Sequence, residues 1–152
     1  MRKISEHFLR SEFQCKCGCG YDTADSELVL MLESIRAHFG QPITITSACR
    51  CPSHNERVGG SANSQHLYGR AADIVIRDHT VEQMYKLADS VNLFRFGGIG
   101  VYPDDRFIHV DVRTHRARWA RMGGTYRPFE DWERTIRGTG PSRNQPQGLQ
   151  EE

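Results

Sequence analysis

The sequence predicts an α+β protein with a small, mostly antiparallel sheet flanked by helices. Three observations lead to this class. A helical apolar pattern comes early, several short alternating segments follow it, and one short and one longer helix interrupt those segments before a short C-terminal one. Helices and strands that are segregated in this way are typical of α+β domains. A chain of 152 residues is the length of one domain.

The first helix is predicted over 26–39, where apolar residues recur at three- and four-residue spacing. Asp25 or Ser26 can cap its start, and Gly40 can end it. Alternation of apolar and polar residues then predicts strands, which cover 42–47, 71–76, 98–102 and 107–113. Further helices are expected over 52–58, 80–90 and 128–136, and a loop over 59–70.

Composition and charge exclude several function classes. The chain is 38% hydrophobic and 26% charged, with a net charge of +1, so we expect no nucleic-acid partner. No apolar run approaches the ~18 residues of a membrane span, so we expect no membrane insertion. The charged opening is not followed by an apolar stretch, which predicts synthesis in the cytoplasm without a signal peptide. We expect a monomer whose folded domain spans 1–137, with a disordered, apolar-poor tail over 138–152.

Five cysteines form an unusual pattern of alternating residues. They are Cys15, Cys17, Cys19, Cys49 and Cys51. Reduced thiols, a disulfide formed in an oxidising compartment, and a structural metal site are all compatible with this count. Zinc sites mostly use cysteine pairs two to four residues apart, so the alternation matches that pattern imperfectly.

Polar residues on two predicted strands indicate a metal site. In the strand over 107–113, His109 and Asp111 alternate with Ile and Val and therefore share one face. Asp73 takes the corresponding face of the strand over 71–76, and His66 precedes that strand. If the strands are neighbours, two imidazoles and a carboxylate converge. Such a set can supply three zinc ligands and leave a fourth position open, as in catalytic sites.

The motif Ser64-x-His66-x-x-Gly69-x-Ala71-x-Asp73 resembles the first zinc motif of the peptidase M15 family. This family contains zinc D-Ala-D-Ala carboxypeptidases and phage endolysins, and hedgehog-type domains share its fold. Other segments are also similar to its small single-domain members, and the resemblance covers roughly residues 5–125. These segments are 12–19, 46–55, 58–60, 97–103, 107–113 and 118–119.

The resemblance implies a site with one zinc ion per chain, bound by His66, Asp73 and His109. It also implies that Arg50 grips the C-terminal carboxylate of a substrate, a task suited to a guanidinium fork. Ser64 is expected to contact the substrate or to orient a ligand through its hydroxyl, and Gln65 to do either through its amide.

One position departs from the family pattern. Several relatives have a catalytic Glu or Asp three residues before the third ligand, where this chain has Arg106, which cannot act as a base. We predict Asp111 as the general base, with Asp104 or Asp105 as alternatives. A competing role for Asp111 is to orient a ligand imidazole or the zinc-activated water.

The resulting functional expectation is a zinc peptidase that hydrolyses the stem or cross-bridge peptides of bacterial peptidoglycan. Carboxypeptidase and endopeptidase activity are both left open. A phage or prophage lysis enzyme that reaches the cell wall after release would fit the expected lack of a signal peptide. The alternative function is a non-catalytic zinc-containing binding module of the hedgehog-like fold, and a thiol redox or metal-handling protein is a third.

Overall fold

The structure is a computed structural model that describes residues 2–91 and 96–138. Four α-helices lie within these ranges: α1 (Ser26–Phe39), α2 (Pro52–Arg57), α3 (Val81–Ser90) and α4 (Phe129–Ile136). Six strands accompany them: β1 (Ile43–Ser47), β2 (Ala71–Ile76), β3 (Gly97–Tyr102), β4 (Phe107–Asp111), β5 (Arg116–Met122) and β6 (Thr125–Pro128). Two short 3₁₀ helices cover Arg10–Phe13 and Gln65–Tyr68.

The strands form one sheet in the order β1-β2-β4-β3-β5-β6. Neighbouring strands are antiparallel except β3 and β5, which run parallel. The prediction of an α+β fold with a mostly antiparallel sheet is confirmed, and the single parallel pair makes the sheet mixed. The condition set for convergence of Asp73 and His109, that their strands are neighbours, is also met, because β2 pairs with β4.

Local capping explains where α1 and α3 begin and where α1 ends. The Asp25 carboxylate accepts a hydrogen bond from the backbone of Glu27, and Gly40 ends α1 in the left-handed conformation. The Thr80 hydroxyl accepts from the Gln83 backbone, and the Gln83 side chain accepts from the Thr80 backbone. The predicted bounds of α1 match the observed ones, and those of α3 match to one residue.

Two strands lie where the sequence analysis predicted none. In β5 the arginines alternate with small and aromatic residues, and the charges obscure a strand pattern. The Arg118 side chain is nevertheless largely buried. Its charge is compensated there, because the guanidinium pairs with Asp89 at 2.6 Å and donates to the Gly97 carbonyl oxygen at 2.9 Å. Strand β6 has only four residues and ends at Pro128. The predicted loop over 59–70 also contains the Gln65–Tyr68 turn.

The hydrophobic core lies on the face of the sheet covered by α1 and α3. Ile74 of β2 and Ile108 and Val110 of β4 are fully buried there together with Leu28 and Leu32 of α1. The alternate residues of β2 and β4 therefore point to the opposite face, where the polar side chains are. No helix among the described residues is long and apolar enough to cross a membrane. The predicted domain end at 137 stays a prediction, since 139–152 of the predicted tail lie outside the described residues.

Candidate metal centre and active site

The three predicted zinc ligands converge at one point. Asp73 of β2 lies directly opposite His109 of β4, and the turn before β2 brings His66 to the same place. Oδ1 of Asp73 is 3.3 Å from Nε2 of His66 and 3.1 Å from Nδ1 of His109. One donor atom from each residue lies within 4.8 Å of the others, and all three side chains are buried.

Hydrogen bonds on the far side of each imidazole fix which nitrogen faces this point. Nδ1 of His66 lies 2.6 Å from the carbonyl oxygen of Ala48, and a carbonyl can only accept, so Nδ1 carries the proton. Nε2 of His109 lies 2.7 Å from Oδ2 of Asp111, a carboxylate acceptor. The lone pairs of His66 Nε2 and His109 Nδ1 therefore face Asp73.

This donor set fits a zinc ion. Two neutral imidazoles and a carboxylate present only acceptors to this point, so a cation placed there would stabilise their convergence. In a tetrahedral site with ligands at 2.0–2.1 Å, neighbouring donor atoms are about 3.3–3.4 Å apart. The two distances to Asp73 Oδ1, 3.3 and 3.1 Å, are close to that value. Metal-binding histidines usually donate their other ring N–H to a carbonyl or carboxylate, as both do here.

Asp111 is enclosed by donors. Its Oδ1 accepts from the backbone of Gly98 at 2.8 Å and of Arg113 at 3.0 Å, and its Oδ2 accepts from Arg113 Nη2 at 2.7 Å. Burial alone raises the pKa of the Asp111 carboxyl, but hydrogen bonds and charges from His109 and Arg113 outweigh burial and hold this pKa well below its usual range. A Cβ atom at position 98 would lie 2.5 Å from Oδ2 of Asp111, so the close approach of the Gly98 backbone to this carboxylate requires glycine.

These contacts do not support the assignment of Asp111 as the general base. A base must reach the attacking water and have a pKa near the operating pH. The Asp111 side chain is completely buried, and both of its oxygens are engaged. The contacts support the competing expectation, in which Asp111 orients the His109 ring.

Ser64 and Gln65 do not line the cleft beside Asp73, and their predicted contact with substrate stays a prediction. Ser64 is fully buried, and its hydroxyl accepts a hydrogen bond from the backbone of His66 at 3.1 Å. This geometry favours ligand orientation, one of the two roles expected for Ser64. Gln65 begins the 3₁₀ turn, and neither residue is among the described residues that line the cleft beside Asp73.

Arg50 lies between the metal centre and an open cleft. Its Nη2 is 3.3 Å from Oδ2 of Asp73, and its Nε and Nη1 donate to Ser47 and Asn55. The cleft has a volume of about 260 Å³, and its lining includes Arg50, Asp73 and Asp105. The predicted carboxylate-binding residue and one predicted zinc ligand therefore face the same space.

The two alternative bases are separated by the structure. Asp105 lines the cleft, whereas Asp104 Oδ2 accepts a hydrogen bond from the backbone of Gly123 at 2.7 Å. Both residues are exposed. Of the three carboxylates predicted as possible bases, Asp105 is the one that faces the cleft shared with Asp73.

Several residues of the site were not predicted. Arg113 closes over Asp111, and its guanidinium carbon lies 4.9 Å from the ring centroid of Trp119. That indole is fully buried, and its ring centroid is 5.0 Å from that of His109.

On the cleft side, Arg121 stacks on Tyr126, and both line the cavity. The partial alternation over 116–119, Arg-Ala-Arg-Trp, is the weak sequence signal for this strand.

Comparison with known proteins agrees with this geometry. A profile of the family described as peptidase M15 matches residues 6–111. The chain belongs to the peptidase M15 family. This confirms the resemblance deduced from the Ser64–Asp73 motif, and the matched range includes all three predicted zinc ligands.

Two curated relatives match shorter segments. Zinc D-Ala-D-Ala carboxypeptidase from Streptomyces albus G is 43% identical over 44 residues, which are 28% of this chain and 17% of the relative. A protein of Haemophilus influenzae named "Probable peptidoglycan L,D-endopeptidase MepK" is 41% identical over 59 residues, or 37% of this chain and 30% of the relative. The aligned segments thus span less than a third of either M15 relative.

Proposed function

We propose that this member of the M15 family is a zinc-dependent peptidase that hydrolyses peptide bonds in the stem or cross-bridge of bacterial peptidoglycan. The observation that carries the proposal is that two imidazole rings direct lone pairs at Asp73. Each ring is held in this orientation by a hydrogen bond from its other nitrogen. The names of the two relatives support peptidoglycan as the substrate class.

In this proposal His66, Asp73 and His109 hold one Zn²⁺. When bound, the ion would supply Lewis-acid activation of a water molecule and of the scissile carbonyl. Three protein ligands leave a position for reactants, in contrast to a closed structural site. Asp73 lines the cleft, so the open position can face the substrate.

The chain's own residues then divide the remaining tasks. Asp111 positions His109 by accepting its Nε2–H, and Arg113 keeps Asp111 ionised. Asp105 is exposed in the cleft and accepts the proton of the attacking water, then delivers it to the leaving amine. This assignment replaces Asp111 as the proposed base, because the base must contact the reactants.

Arg50 binds the free carboxylate of a peptide terminus if the enzyme is a carboxypeptidase. Arg50 lines the cleft, and its Nη2 lies 3.3 Å from Oδ2 of Asp73, so its charge is held beside the proposed metal centre. Arg121 gives the cleft a second cation. Two guanidinium groups suit a substrate that carries carboxylates, as peptidoglycan stem peptides do. A phage or prophage origin and action on the wall after release stay predictions.

Digestion of purified peptidoglycan tests the proposal. The full chain, loaded with zinc, is incubated with sacculi and with soluble muropeptides, and mass spectrometry identifies the bond that is cut. We expect release of a terminal D-amino acid or opening of a cross-link, and no cleavage by the His109→Ala variant. Binding to sacculi without cleavage, by folded and zinc-loaded protein, would instead establish the alternative function of a binding module.

A further inference from the structure

A second group of potential metal ligands lies apart from the His/Asp centre. It consists of Cys15, Cys17, Cys19 and Cys51, which we call the thiol cluster. Their four sulfur atoms lie within 4.8 Å of one another. Three come from one short loop near the N-terminus, and the fourth comes from the residue that precedes α2. None of them has a place in the proposed hydrolytic mechanism.

The spacing of the sulfur atoms is that of ligands around one ion. Sγ of Cys17 is 3.5 Å from Sγ of Cys15 and 3.7 Å from Sγ of Cys51. A disulfide requires about 2.0 Å, and all five cysteines are free thiols in the structure. Four thiolates at 2.3 Å from a tetrahedral zinc ion would have their sulfur atoms about 3.8 Å apart. The two measured distances are close to that value.

The backbone explains how alternating cysteines reach one point. In an extended strand, residues i and i+2 are roughly 6.6 Å apart, too far for shared coordination. Here the chain turns back at Gly18, which has a φ of 82° and whose N–H donates to the Cys15 carbonyl oxygen. Cys15 and Tyr21 then close the base of the loop through a backbone hydrogen bond of 2.7 Å. The turn converts an atypical spacing into a converging set.

Backbone N–H groups also point at the sulfur atoms. The N–H of Cys51 donates to Cys15 Sγ at 3.4 Å, that of Tyr21 to Cys19 Sγ at 3.5 Å, and that of His54 to Cys51 Sγ at 3.4 Å. Such donors stabilise negative charge on sulfur, the form in which cysteine binds metals. The fifth thiol is directed elsewhere, because Cys49 Sγ donates to the carbonyl oxygens of Phe13 and Tyr21.

We propose that Cys15, Cys17, Cys19 and Cys51 bind a structural Zn²⁺ ion, the second metal ion of the chain. Four protein thiolates complete a tetrahedral shell and leave no position for a reactant, which is the pattern of structural zinc sites. Soft thiolate ligands select zinc over the hard cations Mg²⁺ and Ca²⁺. This proposal departs from the count of one zinc ion per chain that the sequence analysis predicted.

The proposed ion joins two segments that are far apart in sequence. Cys51 follows Arg50 directly, and the loop of Cys15 to Cys19 precedes Tyr21, whose hydroxyl donates to the carbonyl oxygen of Leu67 at 2.7 Å. Leu67 is the neighbour of His66. The thiol cluster therefore fixes the N-terminal loop against the two segments that carry Arg50 and His66. Metal binding at such a site contributes directly to folding free energy.

Metal analysis of the full-length chain tests this proposal without measuring hydrolysis. Purified under reducing conditions, the protein is expected to contain two zinc ions, and one after the His66→Ala substitution. The Cys17→Ser/Cys19→Ser double variant should also contain one, held by the His/Asp centre. Both replaced thiols are exposed, so the substitutions leave the core packing intact. Cys49→Ser is the matched control, because it removes the one cysteine outside the cluster, and it should retain both ions.

Cobalt substitution identifies the ligands of each ion. A four-thiolate Co²⁺ site gives an intense sulfur-to-metal charge-transfer band. We expect this band in the wild type, in His66→Ala and in Cys49→Ser, and its loss in the double variant. Wild-type protein without the band, a disulfide between cluster cysteines under reducing conditions, or two zinc ions in the double variant would overturn the proposal. Because His66→Ala removes only the other ion, failure of the hydrolytic proposal is distinguishable from failure of this one.

Discussion

The two proposed metal sites of this protein differ in burial and in the number of ligands that the chain supplies. The His/Asp centre is buried in the sheet, offers three donors and opens on a cleft through Asp73. The thiol cluster offers four donors, and two of its cysteines are exposed. The first arrangement suits an ion that must meet a substrate. The second suits an ion whose whole coordination shell comes from the chain.

The difference extends to the groups that hold the ligands in place. At the His/Asp centre the partner of His109 is a side chain, Asp111, which depends in turn on Arg113. At the thiol cluster the partners of the sulfur atoms are backbone N–H groups. The outer group of His109 can therefore be altered by point mutation, whereas those of the sulfur atoms, like the Ala48 carbonyl that holds His66, cannot be removed without moving the chain.

The largest expected effect is loss of hydrolysis on removal of a ligand from the three-donor centre. Asp73→Asn and His109→Ala should each abolish peptidoglycan cleavage, because a three-ligand site has no spare donor. Zinc content should fall by one ion while the thiol cluster keeps its own. Circular dichroism checks that the sheet is intact. Full hydrolytic activity in either variant would contradict the proposed zinc peptidase.

The next effect concerns the proton-transfer group in the cleft. Asp105→Asn should lower kcat by roughly 10²–10⁴ and leave zinc binding unchanged, since a general base acts on the water and not on the metal. Asp104→Asn is the matched control, because that neighbour binds the Gly123 backbone and does not line the cleft among the described residues. Equal kcat values for the two variants would argue against Asp105 as the base.

Asp111→Asn tests the side-chain support of His109. The amide cannot accept from His109 and Arg113 as a carboxylate does, so zinc affinity of this centre should fall by about 10–100-fold. Competition with a chelator measures that affinity, and the cobalt charge-transfer band of the thiol cluster should stay constant. Unchanged zinc affinity together with a large loss of kcat would return Asp111 to the role of base.

The smallest expected effect distinguishes the two reaction types. Arg50→Lys keeps the charge but loses the two-pronged fit to a carboxylate, which should lower kcat/KM on substrates ending in D-Ala-D-Ala by about 5- to 100-fold. Cleavage of internal cross-links should fall less. Arg121→Lys is the comparison for the second cation of the cleft. Equal losses on both substrates in the Arg50 variant would show that Arg50 positions the site instead.

Strand alternation was sufficient to predict that Asp73 and His109 lie on the polar face of the sheet. His109 and Asp73 converge if both side chains point to the same face of the sheet and their strands are adjacent, and both conditions hold. Alternation along a strand could not reveal that the Arg113 side chain turns back to enclose Asp111, two residues before it. Nor could it reveal the thiol cluster, which depends on the turn at Gly18. Buried charges such as Arg118 concealed β5, because their partners are distant in sequence.

The register of β2 against β4 has a consequence for how the His/Asp centre is assembled. Asp73 faces His109 only in the observed alignment, with Ala72 opposite Val110 and Ile74 opposite Ile108. A slip of one residue would turn every side chain of one strand to the other face. In β2 such a slip would move Ile74 out of the core and bring Asp73 into it, which burial of the apolar face strongly disfavours. The same apolar packing that stabilises the sheet therefore also sets the alignment that brings Asp73 opposite His109.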